Sequence, residues 1–212
     1  MGLLSENPVG RSIRHPGLST PRGALHKGVK FACRNTADAI AERAGVTKRT
    51  LYYHFESKDE LIAAYLASRD AHTFERYRTW LGDDDRPLPD RVMAMFSKLG
   101  TFAGQPKWRG CGFTRAAIEL AGQAGHPAVV MAADHKKRFE IWLAEEMRHG
   151  GVADPELVGR QLMILLEGAI AHMLIHHDTG YAAAAGKAAA ELVVMGLSER
   201  SSADVRPETR MS

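Results

Sequence analysis

The chain has 212 residues, 45% of them hydrophobic and 25% charged, with a formal net charge of +3. That excludes a chain too polar to build a core and leaves room for one medium domain, or a small domain joined to a larger one. Its two cysteines, Cys33 and Cys111, are far apart in sequence, which excludes a disulfide framework and suits a reducing cytoplasm.

Charge is distributed unevenly. Residues 1–55 hold nine Lys or Arg against three Asp or Glu, a local net of +6, and the remainder carries a net of −3. Positive charge gathered in one region is what neutralising a nucleic-acid backbone requires. No signal peptide is expected. The most apolar stretch, Gly159 to Ile175, carries Arg160, Glu167 and His172 and is too polar to span a bilayer comfortably.

In chain order, Pro8, Pro16 and Pro21 with four glycines break any helix longer than about two turns over residues 1–23. Residues 1–19 are therefore expected to be disordered. From Pro21 to Cys33, Leu25, Val29 and Ala32 recur at i, i+4 and i+7, with Thr20 as a cap. Gly28 weakens that helix by about 1 kcal/mol.

The stretch Thr36 to Phe55, TADAIAERAGVTKRTLYYHF, divides into two short helical patterns around Gly45. Ile40, Ala41 and Ala44 make a narrow apolar stripe behind a capping Thr36. Gly45 supplies the left-handed residue of a sharp helix stop. Thr47 caps the second pattern, where Leu51 and Phe55 face inward. Lys48, Arg49, Thr50, Tyr52, Tyr53 and His54 are left outward. Two helices, a tight turn, and a second helix with a basic, hydroxylated and aromatic face form a helix-turn-helix. Lys48 and Arg49 can meet phosphates or guanine edges, Thr47 and Thr50 a phosphate or a thymine methyl. The competing reading is a helical hairpin with a solvated basic face.

AIAERAGVTKRTLYYHFESKDEL resembles the DNA-binding domain of the tetracycline-repressor (TetR) family of bacterial transcriptional regulators, over about Thr36 to Leu66. The resemblance implies that Thr47 to His54 is the recognition helix and that Tyr53, His54 and Lys58 touch phosphates. It implies an all-α homodimer, with a small N-terminal DNA-binding domain and a larger ligand-binding and dimerisation domain. It also implies a long amphipathic helix before the motif, which residues 1–33 do not clearly supply. The DNA-binding set is therefore Thr36, Thr47, Lys48, Arg49, Thr50, Tyr52, Tyr53, His54 and Lys58. A weaker resemblance to a subset of TetR C-terminal domains runs from Trp108 to His135, through Gly110-Cys111, Phe113, Glu119, His126-Pro127 and His135-Lys136.

Beyond the motif the pattern stays helical, with no strand alternation. Ser57 and Glu60 form a capping box that opens a helix to about Trp80. At 1.5 Å per residue this is a rod of roughly 35 Å, long enough to link two domains. Further helices are predicted over Pro89 to Phe102, Phe113 to Ala121, His126 to Arg148, Pro155 to about His177 (ending at Gly180), and Tyr181 to Leu197. Residues 198–212 read as a loose tail. The expected organisation is 1–19 divergent, 20–66 DNA-binding, 67–198 effector-binding and dimerising, and 199–212 tail.

An effector is expected among Phe96, Phe113, Glu119, His135, Phe139, Trp142 and Glu167, mostly aromatic with a few polar tips. Glu167 sits in an apolar run and needs a partner. His172 and His176 lie at i, i+4, a metal-ligand spacing, but with no glutamate between them and no evident third ligand. Cys111 has only Arg109 and Arg115 nearby in sequence and reads as a structural thiol. No cofactor, metal or catalytic residue is expected. The leading function is a ligand-responsive repressor, binding a palindromic operator as a dimer. The alternatives are a small all-α metal-dependent hydrolase built on Glu167, His172 and His176, and a regulator whose damaged first helix impairs DNA binding.

Overall fold

The computed structural model describes residues 36–204 apart from Ala124. The expectations for residues 1–35, including the Pro21 to Cys33 helix, lie outside the described residues, as do those for 205–212. Eight helices and no strand occur among the described residues. They are α1 (Ala37–Ala44), α2 (Lys48–His54), α3 (Lys58–Leu81), α4 (Leu88–Ala103), α5 (Gly112–Glu119), α6 (Pro127–His149), α7 (Pro155–His176) and α8 (Gly180–Asp204). The chain divides into two compact units, with the boundary between Ser68 and Arg69.

Local chemistry sets the elements of the first unit. Thr36 Oγ1 accepts from the Ala39 N–H at 3.2 Å and caps α1. Gly45 is left-handed at φ 68°, and its N–H and that of Val46 donate to the Glu42 and Ala41 carbonyls. Thr47 caps α2 by accepting from the Thr50 N–H at 3.1 Å. The Glu60 N–H donates to Ser57 Oγ at 3.1 Å, and the Glu60 carboxylate accepts from the Glu56 N–H at 2.6 Å. The box therefore closes one residue earlier than its usual reciprocal form. Ile40, Leu51, Phe55, Leu61 and Ile62 are buried.

The second unit is a helical bundle in which α8 packs on α4 and α7, and α6 packs on α5 and α7. Its core runs from Phe74 and Tyr77 of α3 through Val92, Phe96 and Leu99 to Leu143, Leu162, Leu166 and Val193. Each fully buried side chain of this size stabilises by roughly 1.5–3 kcal/mol relative to exposure. α7 has the length and apolarity of a membrane span, and its Val158, Leu162, Leu166, Ala169 and Met173 are buried in this core.

Two boundaries differ from the sequence reading. α7 stops at His176, with His177 in the left-handed region at φ 56°, and Gly180 begins α8 instead of ending α7. α8 continues to Asp204, so residues 199–204 are helical and not a loose tail.

A helix-turn-helix face and a polar cluster between helices

In the first unit, α2 presents the predicted face. Thr47, Lys48, Arg49, Tyr52 and Tyr53 are exposed, Tyr53 by 83%, and Thr50 and His54 are half-buried. Tyr53 and His54 meet edge to face at 5.1 Å at the C-terminus of the helix. The two cations differ. Lys48 Nζ donates to Asp38 Oδ2 at 2.9 Å, and this bond raises its affinity for the proton. Arg49 makes no ion pair among the described residues. The Thr36 and Thr47 hydroxyls are already used as caps, and Thr47 also contacts the Thr50 hydroxyl at 2.9 Å. Lys58 sits at the first turn of α3, where free N–H groups and the helix dipole favour an anion.

In the second unit, the predicted effector residues fall in four separate places. Phe113, His135, Phe139 and Trp142 form one aromatic layer with Phe74. Phe113 stacks on His135 at 3.6 Å with the rings 7° apart, and Phe74, Phe139 and Trp142 meet at 5.0–6.4 Å. Phe74 and Trp142 also line an open groove of about 390 Å³ with Asp70, Arg138 and Ile141. Phe96 lies apart from that layer, in the α4–α8 core, where its Cβ would be 2.8 Å from a Cβ at Gly186. Glu119 is exposed on α5 and does not join the others. Glu167 belongs to a separate polar cluster.

That cluster joins three helices. Lys136 Nζ of α6 donates to Glu167 Oε1 of α7 at 2.6 Å and to Cys111 Sγ, before α5, at 3.1 Å. Thr114 Oγ1 of α5 donates to Glu167 Oε2 at 2.5 Å. The partner Glu167 needs is thus supplied twice. Burial pulls the Lys136 ammonium down, but the charges of Cys111 and Glu167 and their hydrogen bonds outweigh it, so the net shift is upward. The sequence reading missed Lys136, Thr114 and Tyr77. It also missed Asp70, whose carboxylate binds His135 Nδ1 at 2.5 Å and Arg138 at 2.9 Å.

His135 is 1% exposed. Burial lowers its pKa, opposed by the bond to Asp70. A depressed histidine pKa means the unfolded chain binds more protons as pH falls below about 6.5, so stability is lost in that direction. Denaturant titrations from pH 8 to 5 should show a falling midpoint below about pH 6.5, and His135→Gln should flatten that fall.

His172 and His176 stack with rings 5.6 Å apart, and both stack on Tyr181 at 5.0–5.3 Å. Among the described residues no third His, Cys, Asp or Glu completes a metal-binding group with them.

A helical bundle preceded by a helix-turn-helix with an exposed basic face defines a DNA-binding transcriptional regulator. Residues 34–65 match the family described as bacterial regulatory proteins, tetR family. A Streptomyces avermitilis protein assigned to the tetR transcriptional regulators is 33% identical, over 80% of this chain and 98% of its own, with a TM-score of 0.68. The chain belongs to the TetR family. SCO4454, a TetR-family regulator of Streptomyces coelicolor, is 26% identical over 84% of this chain and 96% of its own, with a TM-score of 0.72. A TetR regulator of Chloroflexus aurantiacus shares the fold at 19% identity, over 82% of this chain and 91% of its own, with a TM-score of 0.67. No curated protein matches the chain.

Proposed function

We propose that this regulator is a ligand-responsive, non-enzymatic repressor of the cytoplasm, without membrane attachment, that binds a palindromic operator as a homodimer. Residues 20–66 carry DNA binding and residues 67–198 effector binding and dimerisation. The observation that carries the dimer is an uncovered apolar ridge on α7 and α8. Leu157, Ile164 and Ile175, at i, i+7 and i+18 on one side of α7, are 49%, 65% and 65% exposed. Val194 and Met195 of α8 are 49% and 59% exposed. A contiguous ridge of this kind marks an interface, and a second copy provides the matching surface in a two-fold dimer.

Leu165 and Leu192 of the same two helices are half-buried, and Leu165 packs on the protomer's own core. The discriminating changes are therefore Ile164→Lys and Met195→Lys. Each should leave helicity intact and convert a dimer at micromolar concentration to monomer in equilibrium sedimentation. A wild-type chain that sediments as monomer overturns the proposal.

At the operator, we assign Arg49 to a base edge and Lys48, Thr36, Thr47, Thr50, Tyr52, Tyr53, His54 and Lys58 to the phosphates and their flanks. Arg49→Ala should relax preference at one position per half-site, costing about 1–3 kcal/mol there. Lys58→Ala should weaken all sequences alike and shallow the salt dependence by about one counterion. A binding-site selection at two salt concentrations separates these outcomes. For the effector, the layer of Phe113, His135, Phe139 and Trp142, opening to the groove at Trp142, is the surface we favour, with Asp70 and Arg138 as the polar groups of that groove.

A further inference from the structure

The regulator reading leaves one pair of metal-ligating side chains unused. His172 and His176 stand one turn apart on α7, and both are exposed. Their rings are parallel to within 5°, with centroids 5.6 Å apart. Neither imidazole makes a hydrogen bond or an ion pair among the described residues. This separates them from His135, whose Nδ1 is committed to Asp70. A neutral imidazole without a protein partner keeps one nitrogen lone pair available to a metal.

The surroundings suit a cation at the pair. Tyr181, half-buried at the start of α8 and packed on the core, stacks on the two rings at 5.0 and 5.3 Å, so the pair rests on a fixed platform. His176 is the last residue of α7, and the C-terminus of a helix carries the negative end of its dipole. Residues 161–186 contain no Lys or Arg, and Asp178 adds a carboxylate just beyond His176. Two nitrogens held at about 2.1 Å by one tetrahedral ion lie about 3.4 Å apart. Rings centred 5.6 Å apart on exposed side chains reach that separation by torsion alone.

We propose that His172 and His176 chelate one late first-row divalent metal ion, Zn²⁺, Ni²⁺ or Cu²⁺, through one ring nitrogen each. Imidazole nitrogens select these ions over Mg²⁺, Ca²⁺ and Mn²⁺, which take oxygen ligands. No third His, Cys, Asp or Glu joins the pair among the described residues, so water fills the other positions. The ion is therefore exchangeable, unlike one closed in by four protein ligands. Cu²⁺ binds most tightly of the three, following the general order for nitrogen ligands. The site stands apart from the regulator reading, which neither requires it nor forbids it.

The test is a calorimetric titration of the full, untagged chain with NiCl₂ near neutral pH. Ni²⁺ is the probe because thiols compete for it less than for Zn²⁺. The wild type should bind an ion whose affinity falls at least about tenfold in His172→Ala and in His176→Ala, since either change leaves a single nitrogen. His149→Ala, exposed at the end of α6, should leave that affinity unchanged. MgCl₂ should give no heat of binding. With Cu²⁺, the nitrogen hyperfine structure in electron paramagnetic resonance should weaken in either α7 variant. Circular dichroism checks that these exposed changes keep the helices. A wild-type chain that binds no Ni²⁺ at millimolar concentration overturns the proposal. So does an affinity that neither α7 change lowers, because the ion then sits elsewhere.

Discussion

Gly159→Val should destabilise the second unit by about 3 kcal/mol, lowering its melting temperature by roughly 10 °C. A Cβ built at Gly159 would stand 2.8 Å from the Ala144 backbone nitrogen and 2.9 Å from its Cα. Those atoms belong to α6 and cannot move without moving the helix. The α6–α7 crossing would have to open, and that crossing also holds Lys136 against Glu167 and Leu143 in the core. Gly168 on the same helix provides the control, because nothing lies within 4 Å of its Cβ position. Gly168→Ala should therefore stabilise the isolated unit by about 0.5–1 kcal/mol through helix propensity. Thermal melts of both variants followed by circular dichroism decide the matter. Equal melting temperatures would show that the close approach does not limit the packing.

What was legible in the sequence was local. Thr36, Gly45, Thr47 and Ser57 each act on atoms within five residues of themselves, and each takes the role its neighbours predict. Helix ends follow the same rule, as α4 shows: Pro89 to Phe102 was expected and Leu88–Ala103 is found. The errors at α7 and α8 arise where local signals compete. Gly180 looks like a stop, but the left-handed turn is made at His177, and the Asp178 carboxylate accepts from the Gly180 N–H at 2.8 Å as the next helix begins. α8 outruns its expected end because no Gly or Pro interrupts residues 197–204, and Ser198 turns its hydroxyl back to the Val194 carbonyl instead of competing for the helix backbone.

The candidate sites divide along the same line. The DNA-facing residues share one short helix, so periodicity orders them. The polar cluster does not: Asp70 is 65 residues from His135, Thr114 53 from Glu167, and Lys136 31 from Glu167 and 25 from Cys111. Sequence spacing cannot pair such residues across a bundle. It could register only that Glu167 was buried in an apolar run and lacked a partner. For Cys111 the nearest cations in sequence, Arg109 and Arg115, turn away: their guanidiniums donate to the backbone carbonyls of Pro106, Trp108 and Arg109. The cation on the sulfur comes from a different helix.

Lys136→Met should destabilise the second unit by about 2–3 kcal/mol, because it leaves the Glu167 carboxylate between helices with only Thr114 as donor. Removing one member of a buried ion pair costs about 3–5 kcal/mol, and the quarter exposure of both side chains screens part of that. The shift on Lys136 gives the pH dependence its sign. A lysine whose folded pKa is raised contributes stability that is present below its ordinary value near 10.4 and disappears as pH rises through the folded value. At neutral pH the pair is fully formed in the wild type, so the single variant shows its whole loss there. Adding Glu167→Gln removes the stranded charge and keeps an acceptor for the Thr114 hydroxyl. The double variant should recover to within about 1 kcal/mol of wild type, since exchanging both partners of a buried pair is often close to neutral. Urea denaturation of the wild type, both single variants and the double variant at pH 7 gives the coupling energy directly. Strictly additive losses would show that Lys136 and Glu167 act independently and that the α6–α7 contact is held by its apolar residues alone.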